Sequence, residues 1–258
     1  MHRIIRLLGL LMAIGWVSSC STPPAVDPKV PGPEIRRQVV QRVGAVIVTD
    51  RSDLVHWVSQ GFTGQRSPGD ADGGSSTPIA PDGYFLTANH VLASMQGRHV
   101  FVLYGKDGRL VPSKARVVWR SEGGDLALLK IPVKTPNYYH WTAPNRWLPS
   151  GTPVIHGGIA TGFKSPPGKL SSSIAPEGGL RRIRKFKLDI PLQPGDSGGP
   201  VVDAYGNLVG INSAVEFFVP METAFFVDSE ATRPNARSIE ALIQADRARN
   251  ITPSSDVE

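Results

Sequence analysis

The 258-residue sequence has one cysteine, Cys20, so no internal disulfide can form and an exported domain would stand on its apolar core alone. Charge of neither sign dominates. The formal net charge is +6 with 19% charged residues, and removing residues 1–19 would lower 28 basic residues to 26 against 22 acidic ones. Nucleic-acid binding has no support in that balance. The one dense basic run, RRIRKFK at 181–187, partly alternates charged with apolar residues, as a strand with a solvated face does. Internal repeats are absent, apolar runs long enough to span a bilayer are absent, and no histidine follows residue 156.

What stands at the front is a leader. Arg3 and Arg6 precede an apolar run from Leu7 to Val17 and then small residues, the order of a secretory signal over residues 1–19. Val17-Ser18-Ser19-Cys20 resembles the lipobox of bacterial lipoproteins, which implies an acylated Cys20 as the mature N-terminus and attachment to a membrane. The alternative is a plain signal with a leftover thiol. Residues 20–37 are rich in proline and read as an extended spacer that lifts a domain off a lipid surface.

From about Val39 the pattern becomes many short apolar runs broken by Gly, Pro and Asp. VGAVIV (43–48), YFLTA (84–88), HVFVLY (99–104), ARVVW (115–119), LALLKI (126–131), PVIHGG (153–158), GPVVD (199–203) and LVGINSAV (208–215) read as strands. Short strands at near-regular spacing, without long helical periods between them, predict an all-β antiparallel sandwich or barrel. Ile239, Leu242 and Ile243 give one apolar helical stripe near the end, with Ser238 as its candidate N-cap. Fewer than thirty residues follow Glu230, too few for a second folded domain.

Chemistry concentrates in QPGDSGGPVV, residues 193–202, where Ser197 sits among glycines. A serine hydroxyl becomes a useful nucleophile only with a base, a group that orients the base, and donors for the oxyanion. Gly195-Asp-Ser-Gly-Gly199 also fits G-x-S-x-G, but that parallel-sheet arrangement needs a histidine after the serine. None of His2, His56, His90, His99, His140 or His156 qualifies, so an order of His, Asp, Ser remains open. His90 ends the strand in DGYFLTANHVL beside small Ala88 and Asn89. Asp125 stands at the mouth of the buried run LALLKI, where a carboxylate must find a hydrogen-bond donor.

The segments PDGYFLTANHV, GGDLALLKI, PGDSGGPVVD and LVGINSAV, in that order, resemble those of trypsin-like, chymotrypsin-fold serine endopeptidases, nearest the bacterial HtrA-type branch but without its PDZ module. The resemblance covers roughly residues 38–230. It implies two six-stranded antiparallel β-barrels joined by a linker near 132–150, a short C-terminal helix and polar tail over 231–258, and a cleft between the barrels. It further implies His90, Asp125 and Ser197 as a catalytic triad, the N–H groups of Gly195 and Ser197 as an oxyanion hole, and no metal or cofactor. The S1 pocket would lie near Leu192, Ser213 and Phe225, uncharged residues that suit a small or medium apolar P1 side chain. Asp196 departs from the asparagine usual in the HtrA branch, and an arginine or backbone donors are expected to satisfy it.

Two polar stretches, 64–76 and 164–179, read as long loops near the cleft, and the aromatic cluster YYHW at 138–141 with Trp147 reads as packing in the linker. The sequence thus predicts an endopeptidase acting on protein or peptide substrates in the bacterial envelope, lipid-anchored toward the periplasm with the outer membrane favoured. A protease-fold binding module that cuts nothing is the competing class.

Overall fold

A computed structural model of the chain describes residues 25–54, 56, 71–106, 109–161, 167–178, 183–213 and 229–251. The first sheet contains β1 (Gly44–Thr49), β2 (Asp72–Pro78), β3 (Tyr84–Thr87), β4 (His99–Lys106), β5 (Arg109–Lys114), β6 (Arg116–Ser121) and β7 (Leu126–Lys130), in the order β5-β4-β1-β2-β3-β7-β6. All its pairings are antiparallel. Only Ala115 separates β5 from β6, so one bent passage of chain forms both edges and curls the sheet round, leaving six passages.

The second sheet runs β10-β13-β12-β11-β8-β9, built from β8 (Pro153–His156), β9 (Gly168–Lys169), β10 (Arg184–Leu188), β11 (Pro200–Asp203), β12 (Leu208–Ser213) and β13 (Ser229–Arg233). A bridge between Leu170 and Leu188, with Ser171 N–H donating to Lys187 at 2.8 Å, ties its two edges together. Lobe one (β1–β7) and lobe two (β8–β13) are therefore two curled antiparallel sheets.

Strand alternation explains how each strand serves two cores. Phe85, Ala127 and Leu129 fill lobe one, while Tyr84, Leu86, Leu126 and Leu128 on the same strands point the other way. In lobe two Val201 and Val209 face inward, and Val202, Leu208 and Ile211 meet the lobe-one residues in a shared core. That third core also receives Tyr139 of the linker and Ile239 and Ile243 of the C-terminal helix α2 (Ala236–Ile251).

Four expectations need correction. The extended spacer over 20–37 ends early, because Pro33 opens helix α1 (Pro33–Arg42), whose first position tolerates proline's missing N–H. The last five residues of the stretch 64–76 read as loop are strand, since β2 begins at Asp72 and buries Ser75 and Ser76. The stretch 164–179 likewise contributes β9 and buries Leu170 and Ile174 in the lobe-two core. The cap of α2 is Asn235, whose Oδ1 accepts from Ser238 N–H at 3.0 Å, so Ser238 is itself inside the helix. Cys20, the leader and Phe225 lie outside the described residues. Among the described residues no helix is long and apolar enough to cross a membrane.

Candidate active site

His90 lies in a short 3₁₀ turn, Asn89–Leu92, directly after β3. Val91 and Leu92 anchor the turn in the lobe-one core, and Asn89 accepts a hydrogen bond from Arg120 Nε at 2.7 Å. The imidazole is left half-exposed at the cleft. Asp125 enters β7 with φ +45°, a left-handed conformation that costs a non-glycine residue about 1–2 kcal/mol. That conformation aims the carboxylate at three donors: His90 N–H at 2.9 Å, His90 Nδ1 at 2.9 Å, and the Ser213 hydroxyl.

These contacts fix both charge and tautomer. Burial pushes the Asp125 carboxyl up, but the bonds from His90 and Ser213 outweigh it and hold the group below the ordinary aspartate value. A carboxylate can only accept, so Nδ1 of His90 carries a hydrogen, and in the neutral imidazole the lone pair is on Nε2.

Ser197 is buried on its turn and borders the same cavity as His90, a cleft of about 440 Å³ that also touches Asp72, Ala93, Ser94 and Gly195. The turn is tight because Gly198 has φ +91°, and a β-carbon there would overlap the Ser75 carbonyl and the Thr87 hydroxyl. Among the described residues no acceptor meets the N–H of Gly195 or of Ser197.

Two hydroxyls of lobe one bind this turn of lobe two, and a third braces them from behind. Ser75 Oγ donates to Gly195 O at 2.7 Å and accepts from Ile159 N–H at 3.0 Å. Ser75 N–H reaches Ser197 O at 2.7 Å, Thr77 Oγ1 reaches Gly198 O at 2.9 Å, and Thr87 Oγ1 braces Ser75 O at 2.8 Å. Sequence reasoning missed all three, although a small-residue run GGSST ahead of the histidine strand was there to be noticed.

Asp196 is fully buried. Its Oδ1 accepts from the N–H groups of Ala160 at 3.2 Å and Thr161 at 3.1 Å, and its Oδ2 from Gln193 N–H at 3.0 Å. Backbone donors, rather than an arginine, therefore satisfy it. Gly158 must lack a side chain, since its β-carbon would overlap that carboxylate. Behind it, Val39 of α1 packs on the bare backbone of Gly157, and Asn212 Nδ2 donates to Gly157 O at 3.2 Å.

Of the expected pocket residues, Leu192 and Ser213 are among those described. Leu192 is buried, with its N–H on Ser229 Oγ at 3.2 Å, and the Ser213 hydroxyl is engaged with Asp125. Neither borders the cavity that holds His90 and Ser197. Among the described residues no group of three His, Cys, Asp or Glu could hold a metal ion.

Comparison with known proteins agrees with this fold. A protein of Pseudomonas fluorescens named "Probable periplasmic serine endoprotease DegP-like" is 30% identical over 61% of this chain and 34% of its own length. One of the same name from Marinomonas is 30% identical over 67% of this chain and 39% of its own. The chain spans about a quarter to a half of the length of the curated relatives it matches. Among solved structures, the HtrA-type protease AlgW with tripeptide superposes with a TM-score of 0.55 at 25% identity, over 81% of this chain and 62% of that one. Residues 74–211, which carry His90, Asp125 and Ser197, match the trypsin-like peptidase domain over more than half of the chain, and the chain belongs to that family.

Proposed function

We propose that the chain is a serine endopeptidase that hydrolyses peptide bonds through His90, Asp125 and Ser197. The observation that carries this reading is the Asp125–His90 pair, with its fixed tautomer, bordering one cleft with Ser197. Nε2 of His90 takes the proton as Ser197 Oγ attacks the scissile carbonyl carbon, and Asp125 stabilises the resulting imidazolium. The N–H groups of Gly195 and Ser197 receive the oxyanion. The imidazolium then protonates the departing amine, leaving an acyl-enzyme. Water, deprotonated by His90, releases the second product.

Substrates are protein or peptide chains, as the peptide-bound HtrA-type neighbour suggests. A small or medium apolar P1 side chain would enter on the side of Leu192 and Ser213, with Phe225 near the pocket floor. The chain would work in the envelope, facing the periplasm as its relatives' names indicate, behind a signal at 1–19 and an acyl anchor on Cys20. The protease domain would occupy 38–230.

Labelling with a fluorophosphonate probe tests the reading, with unfolded casein cleavage in parallel. The wild-type chain should label and cleave, and Ser197→Ala and His90→Ala should do neither. A folded wild-type chain that resists the probe would instead favour the binding-module class.

A further inference from the structure

We propose that the face of lobe two carrying residues 25–32 rests on the headgroups of an anionic lipid bilayer. This inference depends on the acylation of Cys20 proposed above and adds which way the domain faces.

Residues 25–32 have no regular structure, yet they are strapped down. Asp27 accepts from the Tyr205 hydroxyl and pairs with Arg146 at 3.7 Å, while Lys29 Nζ lies 4.2 Å from the Tyr205 ring centroid. Val26 packs at Gly151, so Trp147 lies on the segment between two points of contact with the strap. The chain therefore leaves the fold on this face. From Cys20 to Val26 is six residue steps, which reach roughly 20 Å when fully extended. An acyl anchor on Cys20 holds this face within that distance of the lipid.

The chemistry of the face suits that neighbour. Seven large apolar or aromatic side chains are more than a third exposed among the described residues, and four of them, Val26, Val30, Trp147 and Tyr205, are here. Tryptophan and tyrosine favour the headgroup level, where an apolar ring and a polar edge are both accommodated. Charge adds to this. In the strap, its dock and the first turns of α1, Lys29, Arg36, Arg37 and Arg146 outnumber by one the carboxylates Asp27, Glu34 and buried Asp203, which are already paired with Arg146 and Arg37. The positive excess attracts anionic headgroups and weakens with salt.

Once Cys20 is acylated, the mature chain has no other thiol, so a spin label can be placed on single introduced cysteines. Val30→Cys reports the proposed face, and Gln96→Cys, exposed on the turn after the His90 segment, reports the cleft side. The full mature chain is inserted in phosphatidylglycerol-containing vesicles, and collision with lipid-soluble oxygen is compared with collision with a water-soluble nickel chelate. The oxygen-to-nickel ratio should be severalfold higher at Val30 than at Gln96, and the difference should shrink in vesicles of phosphatidylcholine alone. Mass spectrometry of the N-terminal peptide separates the two ways to fail. An unmodified Cys20 overturns both the anchor and this face, whereas an acylated Cys20 with equal ratios at the two sites overturns the face alone.

Discussion

In lobe one the reactive groups are fixed by side chains: Asp125 holds His90 through two bonds, and Ser213 holds Asp125. In lobe two the proposed nucleophile is fixed by backbone. Ser197 rides a turn whose carbonyls are bound by hydroxyls of the other lobe and whose neighbour, Asp196, is bound by three main-chain N–H groups. Half of the site can therefore be read from residue types that do chemistry, and the other half depends on small residues whose importance is what they leave room for.

Substitutions should separate the two halves. The largest effect is expected from Asp125→Asn, which keeps the shape but permits the wrong His90 tautomer. Turnover should fall about 10⁴-fold while the thermal midpoint moves little, and an unchanged rate would sink the assigned role. Gly158→Ala forces the Asp196 carboxylate out of its cradle and disturbs the oxyanion turn. Its kcat should fall about 10²- to 10³-fold with KM less affected, as measured on a peptide substrate.

Ser75→Ala removes one donor and one acceptor between the lobes. Part-buried Gly195 O and Ile159 N–H would lose their partner, so chemical denaturation should show a loss of about 0.5–1.5 kcal/mol, accompanied by slower probe labelling. A variant as stable as the wild type would show that the clamp is incidental.

The smallest effect belongs to a contact outside the site. Helix α2 is fastened to lobe one by Arg116 on Asp246 at 2.7 and 2.9 Å and by Arg247 on Asp82 at 2.7 and 2.9 Å. Hydrogen bonds from those arginines hold both carboxyls below the usual aspartate range. Their stabilising effect is therefore complete above the unfolded aspartate pKa of about 3.9 and is lost as pH falls through the lower folded values. The difference in melting temperature between the wild type and Arg116→Met should close across that acid window. A gap that persists below it would argue against the ion pair.

How legible each part was follows the same division. That His90, Asp125 and Ser197 are candidates was readable because each sits beside a strand with a distinctive apolar run and the absence of later histidines removed the rival order. Helix α1 was hidden by prolines and cations, although Ile35 and Val39 at helical spacing, behind a proline at the first position, were available signals. Ser75, Thr77 and Thr87 looked like loop and strand filler, because a hydroxyl that binds a carbonyl 120 residues away leaves no local pattern. The bond from the Ser213 hydroxyl to Asp125 was not legible either, since it depends on how β12 is placed by its neighbours.

The Ser75–Gly195 bond also sets an order of events. Its partners are 120 residues apart and belong to separately curled sheets, so it closes only after both have formed and met. A chain with one finished half has a serine but no shaped turn around it, and refolding sampled with the fluorophosphonate probe should show labelling arriving after the fluorescence signal of collapse. Labelling that precedes collapse would contradict this. A protease made this way becomes dangerous last, when its own strands are no longer available to be cut.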